Sequence, residues 1–431
     1  MNVTCSRTRL AILTLASLAA GVACQSKVVT LVDSNTTTAT HGETTMSTGS
    51  EDPTGDGDPV DSCVSALDIL VVLDNSGSMG EEQAALVSAL PTMLDTLDQH
   101  AVDWRIGVTT SDNGNPWCPP GATTPEAGKL VASSCKQRLG DFLFNNDEVD
   151  MRDVACNDVC ALGSVELLPT ATEFDPNAAA RPWVESIAGQ ANVADPLAAL
   201  RCMLPMGVNG CGFESQLEAS YLALIRAQDS NEDNYGFLRS DASLLVLIVS
   251  DEADCSYNKD WSGIFEADGN KAFWSDPAAA FPTSAVCWNA GVSCTGDPSG
   301  YDSCAAVNKG VDGTAGVEDA DAVLYPVSRY DGLLAGLEQQ KQALDPGASV
   351  RLALIAGTNP DGSVSYADAE DPGYQNSFGI GPGCTAGTLE AVPPVRMRDV
   401  AEQSGGPLTS ICANDLSANL EAALAPFFGD C

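Results

Sequence analysis

The chain has 431 residues, 44% of them apolar and only 18% charged, and its 59 acidic residues against 20 Lys and Arg give a net charge of −39. That balance excludes nucleic-acid binding, which needs clustered Lys and Arg against phosphates, and a basic membrane-surface module. With only two histidines, His41 and His100, a His-rich metal site is nearly excluded, and oxygen-liganded cations become the natural cofactor.

The chain opens on a sorting signal. Arg7 and Arg9 precede an apolar run over 10–23, too short to span a bilayer comfortably but long enough for a signal-peptide core. It ends in Gly21-Val22-Ala23-Cys24, which resembles a bacterial lipobox, although Gly21 stands where Leu is more usual. The expectation is cleavage before Cys24 and lipidation of that cysteine, with Gln25 after it favouring outer-membrane retention; plain secretory cleavage nearby is the alternative. Residues 24–62 are rich in Ser, Thr, Asp and Gly and carry no aromatic ring. Such a segment buries too little apolar surface to offset its chain entropy, and reads as a tether.

From residue 63 onward strands and helices alternate. Residues 67–73 form a run of Leu, Val and Ile that reads as a strand buried on both faces. A helical stripe follows over 80–100, with Glu81 and Glu82 in its first turn and Pro91 predicted to kink or split it. Strands are predicted over 104–110, 244–250, 350–356 and 408–412, and helices over 215–227, 330–344 and 416–428. This alternation predicts an α/β fold with a doubly wound, mostly parallel sheet. The Gly/Pro/Cys-rich stretches at about 112–200 and 256–325 read as insertions at strand ends. Fourteen cysteines remain after Cys5 and Cys24 are set aside, an even number that predicts disulfides in an exported chain. Cys202 is expected to pair with Cys211, and Cys63 with Cys431 or Cys412, because domain termini tend to lie close together.

The site chemistry falls where such a sheet places ligands, at the carboxyl ends of its strands. Asp74-Asn75-Ser76-Gly77-Ser78 follows the first strand, and Ser250-Asp251-Glu252-Ala253-Asp254 follows the strand at 244–250. Alternate residues of an extended loop point the same way, so Asp74, Ser76 and Ser78 can converge, and a neighbouring strand would bring Asp251 to face them. Two carboxylates and two hydroxyls suit Mg2+, with Mn2+ or Ca2+ as alternatives. The competing structural reading is a tight turn in which Ser78 caps the next helix. Thr109, Thr110 and Asp112 read as ordinary strand-end residues.

Asp-x-Ser-x-Ser after a hydrophobic strand resembles the metal-ion-dependent adhesion site of von Willebrand factor type A domains. Segments at 104–112, 210–219, 236–239 and 249–256, and the closing Ser410-Ile411-Cys412, are similar to an exported bacterial branch of that family. The resemblance implies a doubly wound α/β domain whose cation is held by Asp74, Ser76, Ser78 and Asp251 and binds an acidic residue of a protein partner. It also marks a departure: where the family adds a Thr ligand, this chain has Cys211-Gly212-Phe213, with Glu214 nearby. Glu214, Glu252 and Asp254 are therefore candidates for direct or outer support of the ion. The expected function is a surface-tethered binding module, not an enzyme, with no membrane contact beyond its lipid anchor. An aspartate-nucleophile phosphatase would need a second carboxylate two residues after Asp74, where Ser76 stands. A structural envelope protein with a vestigial site is the remaining alternative.

Overall fold

The computed structural model describes residues 64–118, 123–145 and 148–429, all within a unit that spans 58–431. Cys24, Cys63 and Cys431, together with the signal and tether, lie outside the described residues. The central sheet has seven strands: β1 (Ala66–Leu73), β2 (Asp103–Thr110), β3 (Val184–Ile187), β4 (Gln190–Ala191), β5 (Ser243–Val249), β6 (Val350–Ala356) and β7 (Leu408–Ser410). Their spatial order is β7-β6-β5-β1-β2-β3-β4. The five from β7 to β2 are parallel, and β3 and β4 continue antiparallel.

The residue pattern of β5 explains why this sheet is covered on both sides. Leu245, Leu247 and Val249 enter one hydrophobic core and Leu244, Val246 and Ile248 the other. Successive side chains on a strand point to opposite faces, so a strand with no polar alternation must be buried twice. Each such side chain, fully buried, contributes about 1.5–3 kcal/mol. The first core is closed by α1 (Gly80–Gln99), α2 (Pro196–Met203) and α8 (Ser417–Leu424). The second is closed by α3 (Gln216–Arg226), α5 (Val327–Gln342) and α7 (Val395–Ser404). Two shorter helices, α4 (Ala285–Gly291) and α6 (Pro372–Phe378), belong to the excursions beyond the sheet. The fold is thus the doubly wound α/β arrangement expected.

Three features differ from the expectation. Pro91 does not split α1 in two; the helix runs through 20 residues. Leu86, Leu90, Met93 and Leu97 are all at most 2% exposed, and this buried stripe outweighs the one hydrogen bond that proline forfeits. The stretch 112–200 is more than an appendage, since it supplies β3 and β4 to the sheet edge. Their short, polar strands carry no apolar run to betray them. An excursion between β6 and α7, which the sequence pattern did not single out, contains α6 and the hairpin Cys384–Ala386/Leu389–Ala391.

The disulfides correct the expected pairing. Cys211 bonds Cys118, Cys202 bonds Cys160 and Cys412 bonds Cys384, which removes both Cys202–Cys211 and Cys63–Cys412. Cys202 is buried on α2 under the first insertion. Cys211 is drawn to the opposite side of its loop by hydrogen bonds from Gly210 N to Asn75 O and from Cys211 N to Asp112 Oδ2. The other bridges among the described residues are Cys135–Cys156, Cys255–Cys287 and Cys294–Cys304.

Candidate functional site

The register of three adjacent strands builds the site. Leu73 of β1 stands beside Thr110 of β2 and Val249 of β5, so the next residues, Asp74, Ser111 and Ser250, emerge together at the carboxyl edge. Backbone bonds continue the pairing past the strands: Asp74 N donates to Val249 O and Ser111 N to Leu73 O, both at 3.0 Å. The chain winds one way from β1 through α1 to β2, while β5, β6 and β7 accumulate on the other side. Asp74 therefore sits at the point where winding reverses, the place where open α/β sheets take ligands.

Asp74 is fully buried. Its Oδ1 accepts from Ser76 N at 2.8 Å, and its Oδ2 accepts from the Ser250 hydroxyl at 2.5 Å. The amide of Gln83, one turn into α1, donates to Asp74 O at 3.1 Å and to Gly207 O at 2.7 Å, which ties the loop to the insertion. Ser76 Oγ and Ser78 Oγ lie 3.2 Å apart. Ser78 is exposed, and its hydroxyl is near enough to the Asp251 carboxyl to lower it. The cap position of α1 is Met79, without a side-chain cap, so the Ser78 hydroxyl is not spent on the helix end. The sequence-predicted quartet of Asp74, Ser76, Ser78 and Asp251 is thus brought together.

The electrostatics of this quartet are unfavourable as they stand. Burial, and then the neighbouring Asp74, pushes the Asp251 carboxyl up to about 8, against the lowering effect of the Ser78 hydroxyl. Burial also raises Asp74, in spite of its bonds from Ser250 and Ser76. Asp251 Oδ1 is a buried acceptor with no hydrogen-bond partner. Buried charges are ordinarily paired or neutralised.

The three candidate supporters separate. Glu214 is fully buried just before α3; its Oε2 accepts the Ser111 hydroxyl and its Oε1 has no partner. Burial, then Asp74, holds its carboxyl well above the usual range. Its backbone carbonyl accepts Cys255 N at 2.6 Å, which fastens it to the Asp251 loop. Glu252 is half-buried, and is raised by burial and by Asp251 and Asp74. Asp254 is not a supporter. It pairs with buried Arg396 at 2.9 Å and accepts Leu217 N and the Ser256 hydroxyl, which spends its charge on anchoring α3 to α7. Sequence pattern also missed Glu82 as a neighbour of the site: burial raises its carboxyl to about 7, with Glu81 and Asp74 adding to it. Asp112 takes Gly114 N and Cys211 N, as a strand-end residue shaping its own turn.

Among the described residues no three His, Cys, Asp or Glu side chains are grouped closely enough to hold a metal. The oxygen donors that the strand ends offer are two carboxylates and two hydroxyls, and Asp251 Oδ1 among them is a buried acceptor without a partner.

What fold and site define is a disulfide-stapled α/β domain with a cluster of carboxylates and hydroxyls at the carboxyl edge of its sheet. No family model and no curated protein matches the chain. Among solved structures it is similar to the pilus adhesin SpaC from Lactobacillus rhamnosus GG in its open conformation, at 10% identity and a TM-score of 0.30. The match covers 83% of this chain and 29% of the adhesin, so this chain spans less than a third of that protein's length. A likeness of that size carries no argument about function.

Proposed function

We propose that the chain is an exported, surface-tethered binding module of the von Willebrand factor type A kind, which uses a divalent cation to hold a carboxylate of a protein partner. The observation that supports this reading is the meeting of the Asp74-x-Ser76-x-Ser78 loop with Asp251 across two neighbouring parallel strands, with one Asp251 oxygen left buried and unpartnered. Ser76 and Ser78 would hold the ion through their hydroxyls, and Asp74 and Asp251 directly or through water. Bound there, Mg2+ or Mn2+ would supply an electrophilic position open to an outside carboxylate. The residues themselves position and neutralise: Ser250 and Ser76 orient Asp74, and Gln83 fixes the loop that carries them. The reading is non-catalytic, because Ser76 occupies the place where a phosphatase would need a general acid.

Export is supported by six disulfides among the described cysteines, since such bonds persist in oxidising compartments. No described helix is long and apolar enough to cross a membrane. Lipid anchorage at Cys24 is part of the proposal; mass spectrometry of the mature N-terminus tests it, and an unmodified start elsewhere would remove it.

Melting with and without chelator tests the cation. Binding to the folded state alone stabilises by about 2.7 kcal/mol at a metal concentration 100 times the dissociation constant, so chelation should lower the melting temperature by about 3–5 °C. Asp74→Ala should abolish that difference. Wild-type melting indifferent to both chelator and Mg2+ would make the site vestigial and leave a structural envelope protein as the better reading.

A further inference from the structure

Exposed aromatic rings belong to segments fastened to the site loops. Among the described residues the exposed Phe and Trp side chains are Trp117, Phe144, Phe174 and Phe281, and three of these four are so placed. Phe144, 42% exposed, lies on the hairpin Leu143–Phe144/Val149–Asp150 and leans on the ligand loop itself. Its ring atoms come within 2.7 Å of where a Cβ on Gly77 would stand, so the ring uses the missing side chain to sit beside Ser76 and Ser78. Trp117 and Phe281 form a second exposed pair, with ring centres 6.3 Å apart. Trp117 precedes Cys118, which is bonded to Cys211, and Gly210 is tied to Asn75 of the ligand loop. Phe281 lies three residues before Ser284, whose hydroxyl donates to Gly212 O beside Cys211.

Water-exposed rings held by such fastenings contribute little to the core, and aromatic side chains dominate the anchor positions of protein interfaces. The charge of the chain narrows the occupant further. At a net charge of −39, a strongly acidic partner is repelled, and only a carboxylate neutralised at the cation is tolerated. Resting on the cation-site reading above, we propose that the partner presents an extended peptide segment with a single carboxylate flanked by aromatic or large aliphatic side chains. One flanking side chain packs on Phe144 and the other on the Trp117–Phe281 pair.

The test uses the full chain and short fluorescein-labelled peptides, read by fluorescence anisotropy in Mg2+ and in chelator. One peptide carries Asp between two Phe residues, a second Asp between two Ser, a third Asn between two Phe. The Phe-flanked Asp peptide should bind in Mg2+ about tenfold more tightly than the Ser-flanked one, and the Asn peptide should not respond to Mg2+. Phe144→Ala should erase much of that preference, read as the ratio of the affinities of the two Asp peptides within each variant. Equal binding of the two Asp peptides, or a preference that survives in Phe144→Ala, Trp117→Ala and their double variant, overturns the inference and leaves the cation site standing. If neither Asp peptide responds to Mg2+, the cation-site reading falls and this one with it. A dimer in sedimentation that disappears in Phe144→Ala would assign the rings to a second copy of the chain and also overturn the proposal.

Discussion

Asp251 shows how a single side chain couples the site to stability. Its carboxyl is held near 8 by burial first and by Asp74 second, while Glu82 is held near 7 by burial, with Glu81 and Asp74 adding to it. Both values lie above those of an unfolded chain, about 4. The metal-free folded protein therefore binds more protons than the unfolded one over this interval. The stability these groups contribute is fully present below about pH 4 and is lost as pH rises towards 8, by up to about 1.4 kcal/mol per pH unit for each group still protonated. Calorimetry in chelator should accordingly show the melting temperature falling between pH 5 and pH 8. Asp251→Asn should flatten the slope, because the amide carries no proton to lose. A melting temperature that rises over this range would contradict the assignment of Asp251 to a buried, repulsive pair.

Individual elements are held in place by contacts far apart in sequence. Asp68 on β1 is fully buried, accepts Arg239 N at 2.7 Å and pairs with Arg239 Nε at 2.8 Å. Arg105 on β2 pairs with Glu185 on β3, which also accepts the Trp183 indole. Removing one partner strands a buried charge, so Asp68→Ala should cost about 3–5 kcal/mol in urea unfolding. A loss below about 1 kcal/mol would mean that water replaces the aspartate. The loop entering the site is equally constrained. Gly207 has φ of +103°, and a Cβ there would stand 2.5 Å from Asp141 O, while its own N–H and C=O both bond the Gln83 amide. Gly207→Ala should destabilise by at least about 1–3 kcal/mol, measured by the same unfolding curve. It should also loosen the Asp74 loop that Gln83 supports.

At the scale of the whole molecule the first and last described segments of the domain meet. Val64 N donates to Phe427 O at 3.3 Å, which brings the chain just after Cys63 to the chain just before Cys431. The described cysteines are all paired among themselves. Of the two partners expected for Cys63, only Cys431 therefore remains. Non-reducing peptide mapping should recover a Cys63–Cys431 peptide, and free thiols at both positions would refute it. Such a bridge, closing nearly the whole domain, typically contributes about 2–4 kcal/mol.

The strands, helices and site loops were legible locally. The unbroken apolar runs of β1, β5 and β6 admit only a doubly covered parallel sheet, and Asp74, Ser76, Ser78 and Asp251 stand at the ends of such runs, where the pattern stops. Burial on both faces leaves a signature in consecutive residues, and so it can be read without coordinates. The disulfide partners, the edge strands β3 and β4, and the roles of Asp254 and Glu82 left no such signature. Cys202 and Cys211 are close in sequence, but α2 and the Asp112 loop carry them to Cys160 and Cys118. Asp254 looked like its acidic neighbours until α7 placed Arg396 against it. A residue's neighbours along the chain determine periodicity, whereas charge pairing and cysteine pairing depend on which distant elements pack beside it, and only the tertiary structure decided that.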